Sequence, residues 1–448
     1  MNVEQRSSID LEQSGARLQD IIRRNRSSHA VGVYAVCSAH ADVIAAAARQ
    51  AKANDSVLHV ESTSSQVNQF GGYTAQNPED FASFVRAAAA EAGLPHSRIL
   101  LGGDHLGPFP WRREPAAVAM EKANGLVRGC VLAGYQKIHL DASMACGDDP
   151  KAGPDERTVA NRAAELCETA EKAFRELVPD SAPLLYVVGT EVPTPGGESQ
   201  PQQSISVTTA EHVRSTLEVF QRAFEKRGLT AAWERVIGLV VQPGVEFGEG
   251  NVFDYDRQKT TALTNALPAS PLLVYEAHST DYQLPSSLKT MVEDHFAILK
   301  VGPELTFAFR EAIFALSAME QEIFLGKNAR MSSVRDALES AMLRNPSYWR
   351  DYYQGDEDQL RLSRFYSYSD RCRYYWHDAD VKAQIDLLIG NLSQSPPPVT
   401  LISQYLPVEY EAIRGGRLQA SPLDMVRHHI QVVLHKYAVA CGESKIIR

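Results

Sequence analysis

The sequence predicts an α/β protein whose main part is a (β/α)8 TIM barrel, followed by a helical region. Short runs rich in β-branched residues alternate with longer amphipathic segments rich in Ala, Glu and Arg, which is typical of βα units around a parallel sheet. About eight such runs are present, and eight units close a barrel. The runs end in polar residues, as expected if the carboxyl ends of the strands surround one site.

Helical patterns fill the gaps between the predicted strands. In chain order the strands cover residues 31–38, 57–62, 99–105, 137–143, 185–191, 236–242, 273–278 and 296–301. After the last strand, apolar residues recur at helical spacing. They are Leu305, Phe309, Ala312, Ile313, Leu316 and Ile323. This stripe predicts an outer helix over residues 305–324 that packs against the barrel.

The composition changes after about residue 327, where aromatic and charged residues crowd together before the segment SQSPPP interrupts the pattern. Helical patterns then resume toward the carboxyl terminus. We therefore predict a barrel domain over residues 1–330 and a helical extension over residues 331–448 that packs on it. The aromatic cluster is interpreted as a packed surface rather than a nucleic-acid platform, because the chain is acidic.

The composition of the 448 residues argues against several classes of protein. The 45 basic and 55 acidic side chains give a formal net charge of -10, so no global positive field attracts nucleic acid or anionic membrane. The six cysteines lack C-x-x-C spacing, and the polar start MNVEQRSSID has no secretory pattern. No apolar run approaches the roughly 18 residues of a membrane span. We expect a cytoplasmic protein with reduced thiols.

The polar residues at the strand ends define a predicted site. Any one of them could merely cap a loop, but together they bring carboxylates, imidazoles and an ammonium to one face of a barrel. In chain order they are Ser38, Glu61, Asp104, His105, Asp141, Glu191, Gln242, His278 and Lys300.

The segment LGGDHLGP places two glycines before Asp104 and His105, which is a suitable pair for metal binding or proton transfer. His278 ends a later strand, and Glu191 ends a strand between them. Three strand-end ligands suffice for a catalytic Zn²⁺ or Mn²⁺ site with an open position. We therefore predict that His105, Glu191 and His278 bind a divalent metal.

Phosphate binding is predicted near the last two strands, where such barrels commonly hold a phosphate. Ser279 and Thr280 follow His278, and Lys300 precedes a helix start in KVGPEL. Two further cations, Arg371 and Arg373 in SDRCRYY, could close over a phosphate. The glycine pair at residues 196–197 offers backbone amides in another loop.

Several motifs are absent from the sequence. There is no G-x-x-x-x-G-K-[ST], no G-x-G-x-x-G after a strand, no H-E-x-x-H and no G-x-S-x-G. Nucleotide kinases of the P-loop type, Rossmann dehydrogenases and serine hydrolases therefore lose their main support.

Long segments resemble the GatZ/KbaZ family, the so-called non-catalytic subunits of class II D-tagatose-1,6-bisphosphate aldolase. They are LGGDHLGP, KIHLDASMACGDDP, VVGTEVPTPGG, VVQPGVEFG, YEAHSTDYQ, HFAILKVGPELTFAFREAIFAL, YSYSDRCRYYW and ISQYLP. The family is similar in turn to class II aldolase barrels, whose catalytic members hold a divalent metal on three histidines. The resemblance implies that Asp104 and His105 match the Asp-His pair of these aldolases, Glu191 their strand-end glutamate and His278 their late histidine.

The sequence departs from the catalytic aldolases on the sixth strand, where Gln242 replaces a histidine. An amide oxygen is a weaker ligand for Zn²⁺. The resemblance then implies an accessory subunit that binds and stabilises a class II catalytic subunit and supports cleavage of tagatose 1,6-bisphosphate. This interpretation predicts a hetero-oligomer.

A second interpretation is a metal-dependent ketose or ketose-phosphate epimerase that acts at C4. A metal on His105, Glu191 and His278, with Gln242 assisting, would polarise the ketose oxygens. Asp104 or Asp141 would take the C4 hydroxyl proton, and the sequence does not rank them. A third interpretation, tagatose-6-phosphate kinase, lacks a visible nucleotide loop.

Overall fold

The computed structural model describes residues 3–177, 183–191 and 205–443, with side chains from residue 14 onward. Eight parallel strands close into a barrel, which confirms the predicted fold. The barrel strands are β1 (Val33–Val36), β2 (Leu58–Thr63), β3 (Ile99–Leu106), β4 (Lys137–Leu140), β5 (Leu185–Val188), β6 (Val236–Val240), β9 (Val274–Ala277) and β10 (Ile298–Val301). A two-stranded antiparallel hairpin, β7 (Glu246–Phe247) and β8 (Val252–Phe253), follows β6. Each barrel strand coincides with a predicted run.

Helices fill the connections between the strands. They are α2 (Ala41–Asn54), α3 (Pro78–Glu91), α4 (Ala116–Leu132), α5 (Glu156–Leu177), α6 (Ala210–Lys226), α7 (Thr230–Trp233), α8 (Arg257–Ala266), α9 (Pro285–Glu293) and α10 (Pro303–Phe324). Local sequence explains their starts: Asn77 and Asp80 form a capping box before α3. The predicted helix over residues 305–324 is α10, which begins two residues earlier because Pro303 suits the first helical turn.

A helix that the sequence analysis did not identify, α1 (Val3–Arg26), lies before the barrel. Its residues Leu18 and Ile22 are buried and pack with Val33, Leu100 and Ile237 from three strands. This cluster is apolar and separate from the core between strands and outer helices. The part of the barrel interior that packs against α1 is therefore hydrophobic.

The carboxyl-terminal region is helical, as predicted. Its helices are α11 (Val334–Arg344), α12 (Glu357–Tyr366), α13 (Ala379–Gln394), α14 (Val399–Tyr405), α15 (Pro407–Arg414) and α16 (Pro422–Ala440). Helix α16 is tied to the barrel by hydrogen bonds: Tyr437 Oη donates to the Thr280 carbonyl at 2.7 Å, and Arg427 Nε donates to Asp42 at 3.0 Å. The division at residue 330 remains a prediction.

No helix in the described part of the chain is long and apolar enough to cross a membrane. The six cysteines all lie within the described ranges and are free thiols. Burial raises the pKa of Cys130 and of Cys167, which keeps both thiols protonated.

Candidate functional site

Alternating residues of the barrel strands point polar side chains into the barrel interior. His59 and Glu61 lie two apart on β2, Lys137 and His139 lie two apart on β4, and all four are buried. A strand has a period of two, so such pairs share one face. The absence of a side chain at Gly102 leaves space for Glu61, because a Cβ on Gly102 would lie 2.8 Å from Glu61 Cγ.

Two lysines and two glutamates form an ion-pair network inside the barrel. Lys137 Nζ lies 2.6 Å from Glu61 and 2.6 Å from Glu276, and all three side chains are fully buried. Lys300 Nζ contacts Glu61 and lies 2.8 Å from Asp104 Oδ1. Burial alone raises the pKa of Glu61, but Lys137 and Lys300 outweigh burial and hold it well below its usual range. The glutamates are therefore charged and fixed.

Three imidazoles meet above this network. The ring centroids of His105, His139 and His278 lie 5.0 to 5.2 Å from one another. His105 adopts a left-handed backbone conformation with φ of 49°, which costs a non-glycine residue free energy and is commonly found at functional sites. Burial lowers the pKa of His278 to about 4, so this imidazole is neutral near pH 7.

Four of the buried side chains form a group that could hold a metal ion. Ligand atoms of Asp104, His139, Glu276 and His278 all lie within 4.8 Å of one another. His139 Nδ1 lies 3.0 Å from Asp104 Oδ1, while His139 Nε2 is buried and has no hydrogen-bond partner among the described residues. A buried imidazole nitrogen without a hydrogen-bond partner can serve as a ligand to Zn²⁺ or Mn²⁺.

The charges of the site also fit a divalent cation. Four buried carboxylates face two ammonium groups, which leaves a formal charge of minus two before any histidine is protonated. The carboxylates belong to Glu61, Asp104, Asp141 and Glu276, and the ammonium groups belong to Lys137 and Lys300. Uncompensated buried charge is costly, so a cation or protonated histidines must balance it. The residues present therefore fit a divalent metal.

Asp141 supports His105 from behind. Its Oδ2 lies 2.8 Å from His105 Nδ1, and its Oδ1 accepts hydrogen bonds from the backbone and hydroxyl of Ser143. Burial lowers the pKa of His105, but Asp104 and the hydrogen bond to Asp141 outweigh burial and raise it above its usual value. A carboxylate that holds an imidazole in this way fixes its tautomer and orientation.

Two residues predicted for the metal site lie apart from this cluster. The exposed carboxylate of Glu191 accepts a hydrogen bond from Thr208 and lies 3.6 Å from His212 Nε2. The side-chain oxygen of Gln242 accepts from the Gly244 backbone N–H at 2.7 Å, and the backbone N–H of Gln242 donates to Thr208 Oγ1 at 2.8 Å. Within the described ranges, no hydrogen bond or ion pair joins Glu191 or Gln242 to His105, His139 or His278. Their ligand roles stay predictions.

Of the three predicted phosphate residues near the last two strands, Thr280 and Lys300 have partners inside the protein. The buried hydroxyl of Thr280 donates to the Lys300 carbonyl at 2.6 Å, while Ser279 lines the cavity described below. The amides of Gly302 and Glu304 at the start of α10 both donate to Asp281 Oδ1 at 2.9 Å. A carboxylate of the chain thus occupies the amino end of this helix. The glycine pair at residues 196–197 lies outside the described residues.

A cavity of about 790 Å³ opens above the histidines. Asp104, His105, His278 and Lys300 line its barrel side. Arg371 and Arg373 line it from a 3₁₀ turn of the helical extension, although the two arginines lie more than sixty residues beyond the last barrel strand. Small-molecule sites occupy roughly 300–1,000 Å³, so the cavity suits a ligand of sugar size.

His139 and Glu276 were not identified as site residues from the sequence, although both belong to the metal-compatible group. Each lies two residues before a strand-end residue that was identified, Asp141 and His278 respectively. The alternation of side chains along a strand was the available signal. The residue two positions before a strand-end residue points to the same side of the strand.

Fold and site together define the class: a (β/α)8 barrel that carries a buried carboxylate–histidine–lysine centre beneath a small-molecule cavity. A sequence model of the family described as D-tagatose-1,6-bisphosphate aldolase subunit GatZ/KbaZ-like matches residues 18–442. The chain belongs to this GatZ/KbaZ-like family, as the sequence motifs predicted.

A solved structure from Sinorhizobium meliloti 1021, described as a "probable tagatose 6 phosphate kinase", is 42% identical to this chain. The match covers 92% of this chain and 100% of that one, with a TM-score of 0.84. Fructose-bisphosphate aldolase from Campylobacter jejuni is 14% identical over 85% of this chain and 93% of that one, with a TM-score of 0.41. The YdjI aldolase from Escherichia coli K12 is 11% identical over 83% and 97%, with a TM-score of 0.39. The last two are too distant to bear on activity.

Proposed function

We propose that this chain is a tagatose-bisphosphate aldolase subunit that itself binds a divalent metal ion and a ketose or ketose phosphate, and works with a class II catalytic subunit in carbohydrate catabolism. The carrying observation is the metal-compatible group formed by Asp104, His139, Glu276 and His278 beside the cavity. A subunit that only stabilised a partner would have no need of such a costly buried polar centre. Zn²⁺ or Mn²⁺ suits the nitrogen and oxygen donors.

The chain's own residues supply positioning and proton transfer. The metal, when bound, would act as a Lewis acid toward the oxygens of the ketose. Both carboxylates are held by hydrogen bonds, Asp104 by His139 and Asp141 by His105 and Ser143, but of the two only Asp104 lines the cavity, where it can take a hydroxyl proton from the ligand. The cavity therefore favours Asp104 as the base. Lys300, 2.8 Å from Asp104, keeps that carboxylate charged.

A second function, C4 epimerisation by this chain alone, is favoured because cluster and cavity are built from one chain. Asp104 would take the C4 hydroxyl proton, and the C3–C4 bond would break to give an aldehyde at C4 and an enediolate over C2 and C3. Rotation of the aldehyde, re-formation of the bond and return of the proton would invert C4. The chemistry is that of an aldolase, with both fragments kept in the cavity.

Carbon NMR of the purified chain tests both functions. The chain is incubated with Mn²⁺ or Zn²⁺ and tagatose 6-phosphate, fructose 6-phosphate, tagatose 1,6-bisphosphate or the free ketoses, with and without a class II catalytic subunit. Triose phosphates formed only with the partner, at a rate that His139→Ala lowers, would support the aldolase subunit. A C4 epimer formed by the chain alone would establish the epimerase. Partner activity unaffected by His139→Ala, with no product from the chain alone, would contradict both.

A further inference from the structure

A cluster of arginine and tyrosine side chains from the helical extension borders the cavity. We call it the arginine–tyrosine wall: Tyr348, Tyr352, Arg371, Arg373 and Tyr374. The rings of Tyr348 and Tyr374 stack with centroids 4.6 Å apart and planes inclined by 7°. Tyr73, from the barrel side, meets the Tyr374 ring edge-on at 4.7 Å. These contacts fix the phenol groups next to the cavity.

Arg373 brings a positive charge to this wall without a carboxylate to balance it. Its guanidinium donates to the backbone carbonyls of Ser369 and Asp370 and, at 2.9 Å, to Tyr374 Oη. No carboxylate oxygen in the described part of the chain forms an ion pair with it. The nearby Asp370 carboxylate instead accepts from Thr306 at 2.6 Å. A half-buried cation held only by neutral groups is a position for an anionic ligand.

The pKa of Tyr374 indicates a positive electrostatic potential at the arginine–tyrosine wall. Burial raises the pKa of a phenol, yet the pKa of Tyr374 is lowered, because Arg373 and Arg371 outweigh burial. An oxygen that carries negative charge is therefore stabilised at this wall. The same potential would act on the oxygens of a phosphate.

The cationic positions at the barrel end of the cavity are already neutralised, while Arg112 and Arg113, which also line it, are exposed, so that solvent screens their charge. Lys300 is paired with Glu61 and Asp104, and the amides that begin α10 donate to Asp281. A phosphate at either place would have to displace a carboxylate. Among the predicted phosphate positions that lie in the described part of the chain, the geometry therefore favours the one in the helical extension.

We propose that Arg373 and Tyr374 form the subsite for a phosphate monoester, so that the protein binds phosphorylated ketoses in preference to free ketoses. The inference rests on the proposed function in one respect: the sugar end of the ligand is placed at the metal-compatible group. A guanidinium offers a phosphate paired donors, and the Tyr374 hydroxyl adds a third. The helical extension would then determine which ketoses the barrel accepts.

Calorimetric titration with tagatose 6-phosphate, free tagatose and inorganic phosphate tests this subsite on the Mn²⁺-loaded full chain. We expect Arg373→Met to weaken tagatose 6-phosphate binding by at least about tenfold and to leave free tagatose unchanged, since a hydrogen bond to a charged group is lost. Inorganic phosphate should compete with tagatose 6-phosphate on the wild type and not on the variant. Arg112→Met is the matched control: this exposed arginine lines the same cavity, and its loss should change affinity by less than about threefold.

The conservative variants Arg373→Lys and Tyr374→Phe test the subsite with less risk of misfolding than Arg373→Met. Unchanged Mn²⁺ affinity would show that the barrel of each variant is intact. Both should weaken phosphate binding while Mn²⁺ binding is retained. Equal weakening of free tagatose and tagatose 6-phosphate, an equal effect of Arg112→Met, or wild-type protein that binds the ketose but no phosphate would overturn the subsite. Arg373-dependent binding of inorganic phosphate by a chain that binds no ketose and no metal would uphold the subsite and refute the proposed function.

Discussion

His139 Nδ1 lies 3.0 Å from Asp104 Oδ1, which leaves His139 Nε2 buried with no hydrogen-bond partner in the described ranges. In the tautomer that donates the Nδ1 proton to Asp104, the lone pair lies on Nε2 and can bind a metal, whereas in the other tautomer Nδ1 accepts from the His105 backbone N–H, 3.2 Å away. The pair therefore connects proton transfer and metal binding in one small group, since Asp104 also lines the cavity.

His139→Ala should reduce Mn²⁺ or Zn²⁺ affinity by more than about 100-fold. Loss of a residue that binds the metal should lower the affinity more than loss of a residue that only orients such a ligand. Isothermal calorimetry on chelator-treated protein, with metal content by mass spectrometry, measures the loss. His377→Ala is the control, since His377 is an exposed histidine of the helical extension. Equal metal affinity in wild type and His139→Ala would contradict the metal assignment.

Asp141→Asn should lower activity by about 10- to 100-fold without removing the metal, because the carboxylate orients His105 rather than contacting the ligand. The same change should lower the pKa of His105, since the hydrogen bond to Asp141 helps to raise it. Nitrogen-15 NMR of the histidine rings measures that pKa directly. An unchanged His105 titration would show that Asp141 has no such role.

Hydrophobic periodicity was sufficient to predict the eight barrel strands, because each is a short buried run bounded by polar residues. The strand-end rule identified Asp104, His105 and His278, which the structure brings together. His139 and Glu276 needed one further step, the alternation of side chains along a strand.

Other features depend on distant packing and could not be predicted. Glu191 lies three residues beyond the end of β5 and contacts Thr208 and His212, because its direction is set by the chain beyond the strand. Helix α1 packs against the barrel interior through Leu18 and Ile22, whose contacts lie on several strands far along the sequence. The path that brings Arg373 to the cavity likewise depends on tertiary contacts of the whole extension.

Gly102→Ala should destabilise the fold by about 1–3 kcal/mol and weaken metal binding, because the new Cβ would lie 2.8 Å from Glu61 Cγ. Displacing Glu61 disturbs its contacts with Lys137 and Lys300. Differential scanning calorimetry and metal titration give the two readouts. Gly390→Ala in α13 is the control: a Cβ there meets nothing within 4 Å, and the protein should gain about 0.5–1 kcal/mol. Similar stability of the two variants would contradict the crowding at Gly102.

A pH-dependent contact holds α16 against its neighbours. His429 lies 3.3 Å from Glu409 and 3.4 Å from Glu311, and Glu409 also bonds His428. Burial lowers the pKa of His429, but the two glutamates outweigh burial and raise it to about 9 from its ordinary value near 6.5. The folded state therefore holds this proton more tightly than the unfolded state does.

The contribution of His429 to stability, about 3 kcal/mol for this shift, should thus be complete below pH 6.5 and be lost as the pH rises through 9. Melting temperatures measured from pH 6 to 10 should fall more steeply in the wild type than in His429→Gln, which lacks the titrating group. His435→Gln, on the same helix, has no hydrogen bond to a carboxylate among the described residues and should follow the wild type. Parallel pH curves for wild type and His429→Gln would show that the proton on His429 does not stabilise the packing of α16.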